Sequence, residues 1–424
     1  MKTTISSPSQ KLMNSFLERK MILHKDGVPK KTQTILKDLY KELKTADKYI
    51  SELQEKPDFY RVKMEKITTV SQIPKPQTFN SSSFQKTVRE HIDENTSYSV
   101  EYKFSLVGRE ITIHFIGEDG NEEYKVEKFN LYVKRILVWL YMIHDESSKK
   151  CAKTLTLFFY LSSLKKEIPK RETDVMNEIH VNTGFTYTCP VNSEIVIYRK
   201  EEWFKVFMHE SFHNFALDFA EMNNDECKSR ILNLFPVKSD VNLYESYAET
   251  WASVMNSVFC AYYLQKEGNS FSLFLSNYEY FIHFERTFAV FQMVKVLSFM
   301  NLQYRNLYEN NNVSNMLRET MYKEETNVLS YYVIKTILLE HVDEFLSWCK
   351  ENNYSLMDFK KTQSNIQKYC EFIEKHYKTK DFLEDVETME KFMKKVKREA
   401  RKKEKSPEVD FFLSNMRMSI CELG

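Results

Sequence analysis

The chain has 424 residues, 42% of them hydrophobic, so it can bury one large core or two ordinary ones. Its 61 basic and 60 acidic residues leave a formal net charge of +1, and this balance calls for neither nucleic acid nor membrane as a partner. Only 7 glycines are present, without a Walker A loop or a dinucleotide fingerprint, which disfavours nucleotide-cofactor chemistry and favours a mainly helical fold.

The N-terminal third contains one strong helical pattern and one segment whose composition is typical of a linker. Residues 34–53 carry leucine, isoleucine and alanine at alternating spacings of three and four, which predicts a helix that docks on a core. Prolines at 74 and 76 and the polar run 80–83 favour a linker over residues 68–91. We therefore expect a helical region at 1–67, before that linker.

Strand and helix patterns then alternate as far as residue 199. Residues 98–106 and 111–116 predict an antiparallel pair, 126–143 an amphipathic helix, and 155–161 a buried strand. The β-branched run 193–199 predicts a further strand. Beyond residue 249 nearly every pattern is helical, so the fold class expected is α+β and predominantly helical.

The segment VFMHESFHNFALDF contains the pattern His-Glu-x-x-His at His209, Glu210 and His213. Two imidazoles four residues apart share one face of a helix and can hold a metal ion. Apolar residues at helical spacing from Phe204 to Phe219, with no glycine or proline, predict that this helix is long and buried. The motif therefore predicts both a bound metal ion and a reaction that uses a water activated by that metal.

Together, HESFH and the downstream ESYAE resemble the glutamate-ligand branch of the zincin metallopeptidases, over residues 181–260. In that branch the third zinc ligand is a glutamate on a later helix, in a pattern similar to Glu-x-x-Ala-Asp. The resemblance implies that Glu245 is the ligand and that Glu249 hydrogen-bonds an imidazole. Glutamate at 249 in place of aspartate leaves the reverse assignment open.

The metzincin pattern, a competing one, fails on this sequence. It needs a glycine three residues after the second histidine and a third histidine three residues further on. Ala216 and Phe219 occupy those positions. Asp218 lies one residue short of the second position, and we interpret it as a polar residue near the end of a helix.

The zincin resemblance implies a small twisted sheet packed on the HExxH helix, a helical C-terminal subdomain, and one Zn²⁺ per chain. It implies a protein or peptide substrate, with Glu210 as the general base towards a water activated by the metal. A strand before the motif helix often pairs with substrate in zincins, which nominates four residues: Ile195, Val196, Ile197 and Tyr198. Oxyanion donors are nominated only by their order in the chain: His283, Tyr278 and Tyr280.

The expected zincin core spans residues 92–305, followed by a helical region at 306–405 and a tail at 406–424. The stretch from Lys391 to Lys405 holds nine basic and two acidic residues. It predicts either contact with a phosphate backbone or a solvated helix that extends from the domain. The tail, with Phe411 and Phe412, is expected either to dock as an anchor or to stay flexible.

Seven widely spaced cysteines without a Cys-x-x-Cys pair predict free thiols and a reducing compartment. The N-terminus lacks a secretory pattern, and no apolar run reaches about 18 residues, so a soluble intracellular protein without a membrane span is expected. More loosely, the chain looks like zincin-like proteins of large DNA viruses. Two alternatives to a peptidase remain: a non-catalytic zincin-derived binding or virion-associated structural protein, and a nucleic-acid binder that uses the basic stretch.

Overall fold

The computed structural model describes residues 3–23, 27–118, 126–265, 270–402 and 406–424. Helices make up 56% of the chain and strands 11%, which confirms the predominantly helical α+β class. Apart from residues outside the description, unit 1 comprises 34–165 and 182–220, and unit 2 comprises 3–33, 166–181 and 221–424. Each unit is discontinuous in sequence, whereas composition predicts consecutive blocks, because packing joins segments that are distant along the chain.

The elements follow in chain order. The first half contains α1 (Ser7–Glu18), α2 (Lys30–Gln54), β1 (Arg61–Lys66), α3 (Lys86–Asn95), β2 (Tyr98–Leu106), β3 (Arg109–Gly117), α4 (Val126–Ile143), β4 (Thr154–Tyr160), α5 (Glu178–Val181), β5 (Gly184–Thr186), β6 (Asn192–Ile197) and α6 (Trp203–Asn214). The second half contains α7 (Asp225–Leu234), α8 (Leu243–Tyr263), α9 (Phe271–Phe299), α10 (Tyr304–Tyr308), α11 (Asn312–Met321), α12 (Lys335–Glu340), α13 (Val342–Asn352), α14 (Gln363–His376), α15 (Lys380–Lys402) and α16 (Pro407–Ser414). A 3₁₀ turn lies at Val70–Gln72, and a π-helical segment, Leu329–Ile334, leads into α12.

Unit 1 is built on a six-stranded mixed sheet with the order β1-β2-β3-β4-β6-β5. The β3–β4 and β4–β6 pairs are parallel, and the other three pairs are antiparallel. The predicted antiparallel pair is confirmed as β2 and β3, and the predicted strands at 155–161 and 193–199 are confirmed as β4 and β6. The interior strands are rich in buried apolar residues, as expected of strands covered on both faces.

Aromatic side chains pack α6, the HExxH helix, onto this sheet. The Trp203 ring centroid lies 4.6 Å from that of Tyr132 on α4 and 5.2 Å from that of Phe159 on β4. One turn later, the Phe207 ring lies 5.7 Å from Phe159. The prediction of a small sheet packed on the motif helix is therefore confirmed.

The segment predicted as a linker, residues 68–91, lies inside unit 1 and packs against the sheet. The ring of Phe84 is fully buried, 5.3 Å from the Phe185 ring and 5.7 Å from the Tyr198 ring. The Tyr160 hydroxyl donates a 2.7 Å hydrogen bond to the Pro74 carbonyl. Proline here shapes an ordered strap, since prolines also suit irregular segments with fixed contacts.

Unit 2 is helical in the residues described, and the tail is part of its core. Buried Glu285 accepts hydrogen bonds from the backbone N–H groups of Ile420 at 3.1 Å and Cys421 at 2.8 Å. Lys295 Nζ donates to the Phe412 carbonyl at 3.3 Å. The tail is therefore docked as an anchor, one of the two alternatives predicted from its apolar residues.

The expectation of seven free thiols is wrong for two of them. Cys151 and Cys189, which are 38 residues apart in sequence, form a disulfide in unit 1. The other five cysteines are buried free thiols. Spacing along the chain cannot reveal such a pair, because only the folded sheet brings the segments that precede β4 and β6 together.

Candidate metal centre

Helix α6 carries the His-Glu-x-x-His motif in a fully buried setting. All twelve of its residues are buried, and His209, Glu210 and His213 are only 5%, 6% and 8% exposed. Burying charged and polar groups is costly unless they gain partners, so this concentration on one short helix points to a functional role.

The two imidazole rings approach each other through their Nε2 atoms. His209 Nε2 and His213 Nε2 lie 3.1 Å apart, and the two rings are nearly perpendicular, with centroids 4.8 Å apart. Two nitrogens bound to one tetrahedral zinc at about 2.0–2.1 Å would lie roughly 3.3 Å apart. The observed separation therefore fits a shared metal ion.

Asp218 holds one of these imidazoles in place. The Nδ1 of His213 donates a hydrogen bond to the Asp218 carboxylate, which is itself 1% exposed. The other carboxylate oxygen accepts a 2.9 Å hydrogen bond from the Ala220 backbone N–H. With Nδ1 protonated by this contact, Nε2 presents its lone pair, the arrangement that metal-binding histidines typically adopt.

The position of Asp218 depends on where the helix ends. The predicted single helix through Phe219 is wrong, because α6 ends at Asn214 and Ala216 adopts a left-handed conformation with φ of +52°. The Leu217 N–H closes the end by donating to the Phe212 carbonyl at 2.8 Å. Glycine usually marks such a turn, and its absence hid the turn in the sequence. Asp218 is therefore more than a polar residue near a helix end, because it hydrogen-bonds His213 of the motif.

Helix α8 carries the two candidate acids in different surroundings. Glu245, in the first turn, is half-buried, and its Oε2 accepts a 2.9 Å hydrogen bond from the Tyr331 hydroxyl of the π-helical segment. Glu249, one turn later, is 1% exposed and lies 3.8 Å from the Lys335 ammonium. The sequence contained no signal for Tyr331 or Lys335, because each is more than 80 residues away from its partner.

One group of three side chains in the described part of the chain has the composition of a metal site. The ligand atoms of His209, His213 and Glu245 all lie within 4.8 Å of one another. Glu249 is not a member of that group. Two imidazole nitrogens and one carboxylate oxygen match the donors that zinc takes in hydrolytic enzymes, so the residues fit this ion.

The nominated substrate-edge strand does not lie at an edge. Ile195, Val196 and Ile197 pair with β4 on one side and β5 on the other, and the Tyr198 N–H donates to the Thr183 carbonyl at 2.8 Å. Because both hydrogen-bonding sides of β6 are occupied, these residues cannot pair with a substrate peptide. The edge on this side of the sheet is β5, Gly184–Thr186, a strand that the sequence did not predict.

The nominated oxyanion donors all lie on α9. Tyr278 is 1% exposed, and burial raises the pKa of its hydroxyl. Tyr280 is exposed and packs against Phe284, with ring centroids 4.9 Å apart. His283 is half-buried. Their role stays a prediction, whereas the Tyr331 hydroxyl contacts a candidate ligand, Glu245.

Comparison with protein-family models, curated proteins and solved structures finds no match to this chain. No helix that the structure describes is both long enough and apolar enough to cross a membrane. The function of the chain is therefore inferred from the chemistry of the site.

Proposed function

We propose that the protein is a zinc-dependent metallopeptidase of the zincin type, with its metal held by His209, His213 and Glu245. The convergence of the two imidazole Nε2 atoms, with Asp218 fixing the protonation of His213, is the observation that carries this proposal. Two histidines four residues apart are common on helices, but a buried carboxylate behind one of them is expected of a ligand.

Glu245 is favoured over Glu249 as the third ligand. The carboxylate of Glu245 belongs to the group of converging ligand atoms, and the hydrogen bond from Tyr331 to one of its oxygens fixes its orientation. In contrast, the charge of Glu249 is balanced by the nearby ammonium of Lys335. In this assignment Glu249 does not bind the metal, and its hydrogen bond to an imidazole stays a prediction.

When bound at this site, Zn²⁺ would lower the pKa of a water and polarise a peptide carbonyl. Glu210, next to His209 on α6, accepts the proton from the attacking water and delivers it to the leaving amine. The buried setting of Glu210 supports this role, because little bulk water surrounds its carboxylate to compete for that proton. Asp218 keeps the His213 proton on Nδ1 throughout.

The test compares the wild-type chain with Glu210→Gln for zinc content by mass spectrometry and for cleavage of a broad peptide library. We expect one zinc per chain in both proteins, and at least about a 100-fold slower hydrolysis in Glu210→Gln. Glu221→Gln, an exposed position shortly after α6, is the matched control and should retain full activity. Wild-type protein that holds no stoichiometric zinc would disprove the site.

Zinc retention with no cleavage by either protein would instead favour the non-catalytic binding protein. Equal hydrolysis by wild type and Glu210→Gln would remove Glu210 from the mechanism, even if zinc were present. The two measurements therefore separate the metal site from the reaction assigned to it.

A further inference from the structure

Helix α15 packs within unit 2 and does not extend freely from it. One face is buried, and its apolar members are Phe382, Val386, Met389, Met393 and Val396. The Phe392 ring lies 6.3 Å from Phe291 of α9, and Lys397 Nζ donates a 2.7 Å hydrogen bond to the Ser298 hydroxyl. The solvated, extended helix predicted as one alternative is therefore excluded for the part that the structure describes. Residues 403–405 of the basic stretch lie outside the described residues.

The opposite face of α15 is a row of exposed cations, which we call the basic row: Lys391, Lys394, Lys395, Arg398 and Arg401. These positions recur at three- and four-residue steps, so they share one side of the helix over about 15 Å. Lys391 is paired with Glu387 at 2.8 Å. The other four form no ion pair with any described carboxylate, so their charge is available to a ligand.

Two adjoining depressions run along the basic row. The first, of about 380 Å³, is lined by Arg305 and Tyr308 of α10 together with Lys391 and Lys394. The second, of about 420 Å³, shares those two lysines and adds Lys395 and Arg398. Cations from two helices therefore line two neighbouring depressions, which together we call the groove.

Charge in this groove is positive although the chain as a whole is nearly neutral. Five cationic side chains line the two depressions, against the carboxyl groups of Glu387, Glu390 and Glu399. Glu390 is turned inward, where its carboxylate accepts a 3.1 Å hydrogen bond from the Tyr304 N–H, and burial raises its pKa. The local excess is thus a property of this surface and not of overall composition.

An aromatic ring stands at one end of the groove. Tyr308 is half-buried, and its ring packs edge-on against Tyr304, with centroids 5.4 Å apart. The Lys378 ammonium lies 4.8 Å from the centroid of the Tyr308 ring. A positive groove with an aromatic side chain is the pattern by which proteins hold single-stranded nucleic acid without reading its sequence.

We propose that this groove binds single-stranded nucleic acid, with the basic row and Arg305 on the phosphates and Tyr308 against a base. A membrane surface fits less well, because an interfacial helix inserts its apolar face, and the apolar face of α15 is buried in unit 2. The proposal is independent of the metal centre, since it uses none of the same residues.

The test is fluorescence anisotropy of the full chain with a labelled mixed-sequence DNA 20-mer at 50 to 200 mM KCl. About six phosphate contacts, from the basic row and Arg305, would give a log–log salt slope near −4.2, or roughly a 300-fold loss of affinity across that range. The fourfold variant Lys391→Gln, Lys394→Gln, Lys395→Gln, Arg398→Gln should lose at least about 30-fold at 50 mM KCl, and its salt slope should fall to about −1.4, because Arg305 and Arg401 remain. These positions are exposed, so the fold should persist.

The matched control removes four exposed lysines from another amphipathic helix, α2, by changing Lys37, Lys41, Lys44 and Lys48 to glutamine. Two of these are paired along the helix, Lys41 with Asp38 at 3.6 Å and Lys48 with Glu52 at 3.8 Å. The control lowers net charge as much as the groove variant does, yet it should bind like the wild type. Tyr308→Leu should weaken binding about 5-fold or more with the salt slope kept, and Tyr308→Phe should not.

Equal losses in the groove variant and the α2 control would overturn the proposal, because non-specific charge would then explain binding. Binding to DNA that does not depend on salt would also overturn the proposal. A third contradicting result would be no binding to DNA together with groove-dependent binding to vesicles that contain phosphatidylserine. Zinc content and peptide hydrolysis should be the same in the groove variant and the wild type, so this outcome can be read separately from the proposed peptidase activity.

Discussion

This chain contains two buried histidine pairs whose rings are close together, and the two pairs differ in what surrounds them. His209 and His213 direct Nε2 atoms at each other, with Asp218 behind one ring. His341 and His376 have ring centroids 4.2 Å apart, but the His341 Nε2 is hydrogen-bonded to the Thr379 hydroxyl at 2.9 Å. No described carboxylate joins this second pair in a group of three ligands. A metal site is thus defined by where ring nitrogens point and by what holds them, and not by adjacent rings.

The largest expected effect comes from changing one histidine of each pair to asparagine. His213→Asn should lose zinc almost completely, because two ligands hold zinc far less tightly than three. His341→Asn should keep one zinc per chain, since His341 belongs to no described group of three ligand side chains. Zinc content after gel filtration measures both. Equal zinc loss in the two variants would show that the pairs are not distinct.

The next effect concerns Asp218, the carboxylate that the second pair lacks. Asp218→Asn should weaken zinc binding by about 10- to 100-fold, because the amide orients His213 but removes the negative charge that strengthens it as a ligand. Competition with a chromogenic chelator measures the affinity. Asp240→Asn, a change at an exposed carboxylate, is the control and should leave affinity unchanged. An unchanged zinc affinity in Asp218→Asn would show that the contact between Asp218 and His213 contributes only to packing.

The smallest effect separates pH-dependent stability from the metal centre. Asp358 lies in the segment between α13 and α14, and burial raises its pKa from 3.8 to about 6. A carboxyl group whose pKa is raised in the folded state contributes its full stabilisation of the fold below about pH 4. That contribution is lost as the pH rises through 6. The free energy of unfolding of Asp358→Asn, relative to that of the wild type, should therefore increase by on the order of 1 kcal/mol between pH 4 and 7.5, after allowance for partial exposure.

Urea denaturation at the two pH values measures the free energy of unfolding of each protein. Zinc content at neutral pH should not change in Asp358→Asn, because Asp358 is not one of the three candidate ligands. A stability difference that stays constant or shrinks as pH rises would contradict the assigned pKa.

Much of the fold could be predicted where the signal is local. The helix at 126–143 has the predicted bounds, and the pair β2–β3 lies at the predicted residues, because hydrophobic period and burial on one face are read from neighbouring positions. The end of α6 could not be predicted, because Ala216 adopts a conformation that glycine normally signals. The docking of the tail through Glu285 was equally hidden, since no residue near 420 indicates a partner at 285.

By itself, the sequence determined the helical class and the spacing that puts His209 and His213 on one face, because both follow from the helical repeat. It narrowed the acids to Glu245 and Glu249 by resemblance. Tertiary structure alone decided that Asp218 backs His213, that Tyr331 contacts Glu245, and that β6 lies inside the sheet. The physical reason is that spacing along a helix is local, whereas a hydrogen-bond partner or a sheet neighbour is chosen when distant segments pack.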